Sequence, residues 1–387
     1  MPESEEKPLV VIRSLVYNHE PYLRDCLEGF VMQQTTFPFV AVVHDDCSTD
    51  GSAAIIREYA EKYPHIVKPV FETENQYSKH DGSLRRAMDE ACGKYGAKYI
   101  ALCEGDDCWT DPRKLQKQVD FLEAHPEYTM VCSNAKVTTP EKVLEKEDFE
   151  NMGWHQYTKE CDIPTEDTIS KGGWLIHTAS IVYRYGLKDK YPDACKKTTA
   201  GDYTLQMFAA LNGNIHFFPE QMVVYRFQTA NSWTEREKRQ SYEGRAYALM
   251  REIDMLLSLN EYSSGQYSSA FYYRITSSVW RLLREFPERA ADIRASFGKH
   301  LHYGKTKDAF GQPSGLVASL AFLFKRACYY PYYPNTQFPA LLLPFLRPFY
   351  SYSHHKSSIR IGRLPLITFV NRPASRDSIY VCGVKVR

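Results

Sequence analysis

Three carboxylates fall within four positions, Glu104, Asp106 and Asp107, directly after the apolar run 99–103. That run is too short for a helix of its own and reads as a buried strand. Gly105 lets the backbone turn tightly, and Trp109, Asp111 and Pro112 open a helix. Like charges crowded at the end of a buried strand repel one another. A hard divalent cation that prefers oxygen ligands, Mn2+ or Mg2+, would relieve them. The competing reading is a solvated acidic turn that caps the next helix, and these residues alone leave both open. A second acidic pair, Asp45 and Asp46, follows the apolar run 37–44 and leads into Cys47-Ser48-Thr49-Asp50-Gly51.

The elements that must hold these groups follow from hydrophobic spacing. Strands are expected at 9–16, 37–44, 66–71, 99–103 and 128–133, and helices at 22–34, 52–63, 83–94 and 112–125. Leu23, Leu27, Phe30 and Val31 illustrate the helical stripe. Alternation of this kind predicts an α/β fold, a mostly parallel sheet with helices on both faces. Ligands of such sheets bind beyond the carboxyl ends of the strands. Both acidic clusters lie at such ends, so one crevice should contain them, and this favours the cation. The first turn lacks GxGxxG and no GxxxxGK[ST] occurs, which argues against a nicotinamide dehydrogenase and a P-loop NTPase. Phosphates would be neutralised by metal rather than by a glycine loop. Further on, 135–170 reads as polar and irregular and 181–185 as a strand. A helix is expected at 201–211, opened by Gly201-Asp202-Tyr203. Two short strands are expected at 215–218 and 222–227, and helical patterns run through 247–257 and 272–283.

The chain has 387 residues, a net charge of +1, 28 Tyr and 20 Phe, and an ordinary apolar fraction. No apolar leader opens the sequence and no run approaches the roughly 20 apolar residues of a membrane span. Ten cysteines without a CxxC pair suggest a reducing compartment and no zinc knuckle. Charge is unevenly spread. Residues 299–387 carry 13 Lys+Arg and 2 Asp+Glu, net +11, which leaves 1–298 at −10. The basic stretch mixes apolar runs, prolines and tyrosines, the texture of a segment that lies on an anionic membrane surface; its counterpart reading is a Pro-rich strap packed on the main domain. Nucleic acid is not expected as its partner. A small β element is expected at 359–387.

Over residues 8–233 the chain resembles the family 2 glycosyltransferases of GT-A fold. Tyr17-Asn18-His19-Glu20 resembles the first-strand turn, and Asp45-Asp46-Cys47-Ser48-Thr49-Asp50-Gly51 the nucleotide-binding DDxSxDG. Glu104-Gly105-Asp106-Asp107 resembles the DxD-type metal motif, and Gly201-Asp202-Tyr203 with Tyr225-Arg226 the segment holding the catalytic base. The resemblance implies an inverting transfer of one sugar from a nucleoside-diphosphate sugar, a UDP-sugar by preference, to a saccharide or lipid-linked saccharide of the cell surface. It gives Asp202 as general base and Tyr17, Asn18, Glu20, Asp45, Asp46, Arg85 and Asp106 as donor-binding residues. It gives Asp107, Asp106 and Glu104 as metal ligands, and Trp174, His177 and Thr178 as the acceptor side. Glu104 stands where many relatives carry Asp, and Gln228 where they often carry His, which puts strict metal dependence in doubt. The QxxRW motif and membrane helices of processive synthases are missing. The implied organisation is a GT-A domain at 1–235, a helical extension at 236–298 and the basic region 299–387, in a cytoplasmic protein held at the inner face of the membrane. The alternatives are a non-catalytic nucleotide- or carbohydrate-binding module and a sugar nucleotidyltransferase.

Overall fold

The computed structural model describes residues 7–79, 81–152, 154, 156–198, 200–229 and 240–301, and the backbone of five strands between 350 and 386. The 302–349 part of the proposed membrane-surface region lies outside the described residues. Residues 1–150 and 154–311 form one compact unit, and 151–153 and 312–387 a second.

The first unit is built on a sheet of nine strands. They are β1 (Val10–Val16), β2 (Phe39–Asp45), β3 (Val67–Phe71), β4 (Tyr99–Leu102), β5 (Cys108–Trp109), β6 (Tyr128–Thr138), β7 (Cys161–Asp162), β8 (Val182–Arg184) and β9 (Asn214–Arg226). Its helices are α1 (Glu20–Val31), α2 (Ser52–Lys62), α3 (Ser83–Gly93), α4 (Lys114–Ala124), α5 (Lys146–Met152), α6 (Thr165–Ser170), α7 (Gly201–Asn212), α8 (Tyr242–Tyr262), α9 (Ser268–Glu285) and α10 (Ala290–Leu301). The sheet order is β3-β2-β1-β4-β8-β6-β9-β5, with β7 also on β9.

The expected parallel half is there: β3, β2, β1 and β4 pair in parallel. The other half is mixed. β8 runs antiparallel between β4 and β6, and β5 and β7 run antiparallel to β9. Periodicity reports burial of a strand and carries no sign of its direction, so the reversal at β8 could not be read from the run itself. The two strands expected at 215–218 and 222–227 are one strand, β9. Its register on β6 jumps from Phe218 opposite Ser133 to Gln221 opposite Asn134, which leaves Pro219 and Glu220 outside the ladder. A proline has no N–H to give to a ladder, and a bulge is where a sheet tolerates it. The stretch read as irregular at 135–170 contains the end of β6 together with α5, β7 and α6.

β1 is buried on both faces, as a Val/Ile-rich central strand should be. One continuous core joins the sheet to the later helices through Val42, Leu102, Ile169, Phe208, Leu256, Phe271 and Val279. Burying each such side chain contributes about 1.5–3 kcal/mol. This core places α8, α9 and α10 against the sheet unit. α7 is buried on nearly every side from Tyr203 to Ala210, so the residues at its amino end are rigidly held. Among the described residues no helix is long and apolar enough to cross a membrane. The second unit contains a five-stranded antiparallel meander, β10 (Tyr350–Ser353), β11 (Lys356–Ile361), β12 (Leu364–Val370), β13 (Ser378–Val381) and β14 (Val384–Val386).

α1 crosses β5 at Gly29. A Cβ there would stand 2.9 Å from both the amide nitrogen and the carbonyl oxygen of Trp109, and backbone cannot swing aside. Gly29→Ala is expected to destabilise the protein by about 1–3 kcal/mol. Urea unfolding measures it, and an unchanged midpoint would contradict the close approach.

Candidate active site

β1 and β2 lie in parallel register with Val16 opposite Asp45, so the turns that follow them meet. They are tied side chain to backbone. Asn18 N donates to Ser48 Oγ (2.9 Å), Thr49 N to Asn18 Oδ1 (2.8 Å), His19 N to Ser52 Oγ (3.0 Å), Glu20 N to Asp50 Oδ2 (3.0 Å) and Gly51 N to Glu20 Oε2 (2.7 Å). Asn18 and Cys47 make the bends with φ of +57° and +64°, a region that Asn tolerates better than most residues. Asn18 and Glu20 therefore serve the framework between the two turns. Tyr17 sits partly buried beside them.

Asp45 and Asp46 are both buried, at 3 % exposure each, but are used differently. Asp46 accepts from the backbone N–H of Gln76 (2.7 Å) and of Tyr77 (3.1 Å), so its carboxylate orders the loop after β3. Asp45 accepts through Oδ2 from Ser48 N at 3.3 Å, while its Oδ1 is buried without a partner. An unsatisfied buried acceptor costs about 1–3 kcal/mol, and a ligand N–H would relieve it.

The loop after β4 returns to the same place. Gly105 N donates to Leu15 O at 2.9 Å, and a Cβ on Gly105 would stand 2.8 Å from His19 Nδ1 and 2.9 Å from Val16 Cγ2. Only glycine permits that approach. Asp107, 2 % exposed, accepts from Arg226 N at 2.8 Å. Arg226 also donates through Nη1 to Asp106 O (2.9 Å) and pairs through Nη2 with Asp25 (2.6 Å). Asp106 Oδ2 accepts from Thr229 Oγ1 at 3.0 Å. Burial lifts the pKa of Glu104 to about 7, with Asp106 and Asp202 adding to it and Arg13 opposing. Burial and then Asp106 hold Asp107 well above the usual carboxylate range.

Asp202 stands in the first turn of α7, where the helix dipole favours an acid. Its Oδ1 accepts from Tyr203 N (2.8 Å) and its Oδ2 from Thr178 Oγ1 (3.2 Å). Thr178 leads from Asp202 to His177, which stacks on Tyr225, and the N–H of the next residue, Arg226, donates to Asp107, so a run of contacts connects Asp202 to the acidic loop. The acceptor-side stretch is beside it. A Cβ on Gly173 would lie 4.0 Å from Asp202 Oδ2, and Trp109 Nε1 ties the stretch down by donating to Ala179 O at 2.8 Å. Trp174 stacks on Trp154 at 4.5 Å, and His177 on Tyr225 at 4.9 Å. Arg85 lies on α3 and pairs with Asp89 at 3.5 Å.

The donor set of the acidic loop is all oxygen, from one buried and two partly buried carboxylates that repel one another, which suits a hard cation. Among the described residues no three His, Cys, Asp or Glu side chains converge as a complete ligand set. The carboxylates fit an ion whose remaining ligands come from elsewhere, such as substrate oxygens and water. Gln228, where a His was expected by resemblance, is exposed with φ +63°. Sequence reasoning gave Arg226 only as part of a motif and gave no role to Thr229, Trp154 or Arg13. Arg13 did carry a signal, a charge inside the otherwise apolar Val10–Val16 strand.

Residues 14–184 match the profile of glycosyl transferase family 2. The uncharacterised protein Rv1520 of Mycobacterium tuberculosis is 34 % identical over 250 residues, 64 % of this chain and 68 % of that protein. A Bacillus subtilis protein named as a glycosyltransferase, EpsE, is 34 % identical over 125 residues, 32 % of this chain and 42 % of its own. S. aureus TarS in complex with UDP superposes with a TM-score of 0.43 and 16 % identity, over 92 % of this chain and 97 % of that one. The profile match and these sequence relatives define the class as a glycosyltransferase. The chain belongs to glycosyl transferase family 2.

Burial pulls His177 from an ordinary pKa of 6.5 down to about 4. The folded protein prefers its neutral form, so its contribution to stability is complete above about pH 6.5 and is lost as pH falls through about 4. Stability of His177→Asn should therefore fall less steeply than wild type from pH 7 to pH 4. Denaturant titrations across that range test it; parallel pH profiles would contradict it.

Proposed function

We propose that this chain transfers a single sugar, with inversion, from a nucleoside-diphosphate sugar to a hydroxyl of a saccharide or lipid-linked saccharide acceptor. The observation that supports the proposal is the run of contacts from Asp202 through Thr178 and the His177–Tyr225 stack to Asp107, with Asp45 at the carboxyl end of β2 beside β1. Asp45 Oδ1, buried and unpartnered, would accept an N–H of the nucleobase, with Asp46 holding the adjacent loop in place. Asp106 faces the ribose and diphosphate end. Asp107 and Asp106, with Glu104 behind them, would hold a bound Mn2+ or Mg2+, which supplies charge neutralisation at the diphosphate.

Asp202 removes the proton of the acceptor hydroxyl as that oxygen bonds to the anomeric carbon. The bond from that carbon to the diphosphate oxygen breaks, and its electron pair leaves with the nucleotide. Thr178 fixes the carboxylate for this work by donating to Oδ2. Trp174 and His177 line the acceptor side. An α-linked donor would then give a β-linked product. The B. subtilis protein named as the teichuronic acid biosynthesis glycosyltransferase TuaG supports a cell-surface polysaccharide as the product class. The net charge of +11 over 299–387 supports docking at an anionic membrane surface.

Asp202→Asn is expected to lower transfer by about 10²–10⁴-fold while donor affinity is retained; equal rates would remove Asp202 from the chemistry. Asp45→Ala is expected to weaken nucleoside-diphosphate binding about tenfold or more, read by calorimetry. Unchanged affinity would separate Asp45 from the nucleobase. The full chain should float with vesicles containing anionic lipid and be released by high salt. Equal flotation with neutral vesicles would contradict the electrostatic docking.

A further inference from the structure

Lys114, the first residue of α4, is completely buried. Among the described residues it forms no ion pair. Its Nζ donates to Gln118 Oε1 at 2.7 Å, one turn along the same helix, and stands 4.2 Å from the centre of the Trp109 ring. A cation with so few partners is costly to bury. Burial draws its pKa down to about 7, against the opposing fields of Cys103, Cys132 and Asp111. A methionine of similar length would fill the same space without that cost. The amine at this position therefore calls for a reason other than packing.

The reason lies in what its two partners hold. In its charged form Lys114 can only donate, so Gln118 turns its amide oxygen toward it and its Nε2 the other way. Gln118 Nε2 donates to Ser180 O at 2.9 Å. The Trp109 ring carries the Lys114 amine over its face and meets Phe30 edge-on at 5.1 Å, and its Nε1 donates to Ala179 O at 2.8 Å. Two successive carbonyls of the acceptor-side stretch are thus held by donors that Lys114 orients. Gln118, Ala179 and Ser180 are fully buried, so solvent does not compete for these bonds. Ala179 and Ser180 belong to the single helical turn Thr178–Ser180. Ser180 closes that turn by donating to His177 O through N (2.9 Å) and Oγ (2.7 Å). Thr178, at its start, donates through Oγ1 to Asp202 Oδ2 at 3.2 Å. A continuous run of contacts leads from Lys114 to the Asp202 carboxylate. From the same indole the chain leads back directly to Asp107 and the acidic loop.

We propose that Lys114 is a positioning residue for sugar transfer: with Trp109 and Gln118 it forms a buried clamp that fixes the Thr178–Ser180 turn, and thereby the hydrogen bond from Thr178 to Asp202. The proposal rests on the transfer reading, in which Asp202 is the base. Lys114 acts only through its neighbours. With methionine at 114, nothing dictates which end of the Gln118 amide faces Ser180 O, and the indole loses the cation on its face.

Two readouts on the full chain separate the clamp from the transfer reading. The first needs no substrate: amide hydrogen exchange at about pH 6, where Lys114 is charged, in wild type, Lys114→Met and Gln118→Glu. Gln118→Glu keeps a partner for Lys114 but removes the donor to Ser180 O. Exchange in a peptide spanning 177–182 should rise about tenfold in both variants, with peptides from β1 and β2 unchanged. Unchanged exchange at 177–182 would overturn the clamp. A rise spread over the whole chain would assign Lys114 to general stability and overturn it as well. The second readout is turnover of UDP-glucose or UDP-N-acetylglucosamine with Mn2+. In Lys114→Met, kcat should fall about tenfold with KM for the donor unchanged. The Lys114→Met/Thr178→Val double variant should be no slower than Thr178→Val alone, because both act through one hydrogen bond. Losses that multiply in the double variant would overturn the proposal, as would a raised KM with kcat unchanged. Full activity in Asp202→Asn would overturn the transfer reading and with it the catalytic part of the proposal, while the exchange result would still decide the clamp.

Discussion

Crowded, largely desolvated carboxylates with too little positive charge are the constraint on which the rest of the site depends. Burial penalises ionisation of Glu104 and Asp107, Asp106 adds to the penalty on both, and Asp202 adds to it at Glu104. The fold tolerates this through a few fixed contacts. Arg226 spans from Asp25 to Asp107, Thr229 donates to Asp106, and Thr178 donates to Asp202. Each of these ties a different stretch of chain to the crevice. The end of β9, the acceptor-side stretch and the start of α7 are thereby brought into register with the loop after β4. Strain of this kind is the usual signature of a site whose charges are balanced only when substrate is bound.

The opposite wall is governed by close approach. Gly105 lets the acidic loop reach the turn after β1, and Asn18, Glu20, Asp50 and Ser52 lock that turn to the one after β2. The residues of the two motifs divide into those that build the wall and those left facing the crevice. Asp46, Asn18 and Glu20 are occupied by backbone donors, whereas Asp45 keeps one oxygen without a partner.

Much of this was legible in the residues. The strands over 9–16, 37–44 and 99–103 ended where their apolar runs ended, within a residue or so, and both acidic clusters fell at carboxyl ends as the alternation required. The reversal of β8 was not legible, because a three-residue strand buried on both faces has no directional pattern. The single β9 was hidden by Pro219, which reads as a break and is accommodated as a bulge. Within the site, residue type located the carboxylates but could not say which were already spent. Asp45 and Asp46 are neighbours of identical chemistry, and only the position of the Gln76 and Tyr77 amides separates them. The framework role of Asn18 depends on Ser48 and Thr49, some 30 residues away, a pairing that no local pattern encodes.

The stereochemistry of transfer tests the central proposal most directly. In the proposed reaction a single displacement assisted by Asp202 would convert an α-linked nucleoside-diphosphate sugar into a β-linked glycoside. The anomeric proton coupling of the isolated product, read by NMR, reports that configuration. A β product from an α donor is expected; an α product would require two displacements or a front-face path, and would contradict a site in which Asp202 acts only as a base.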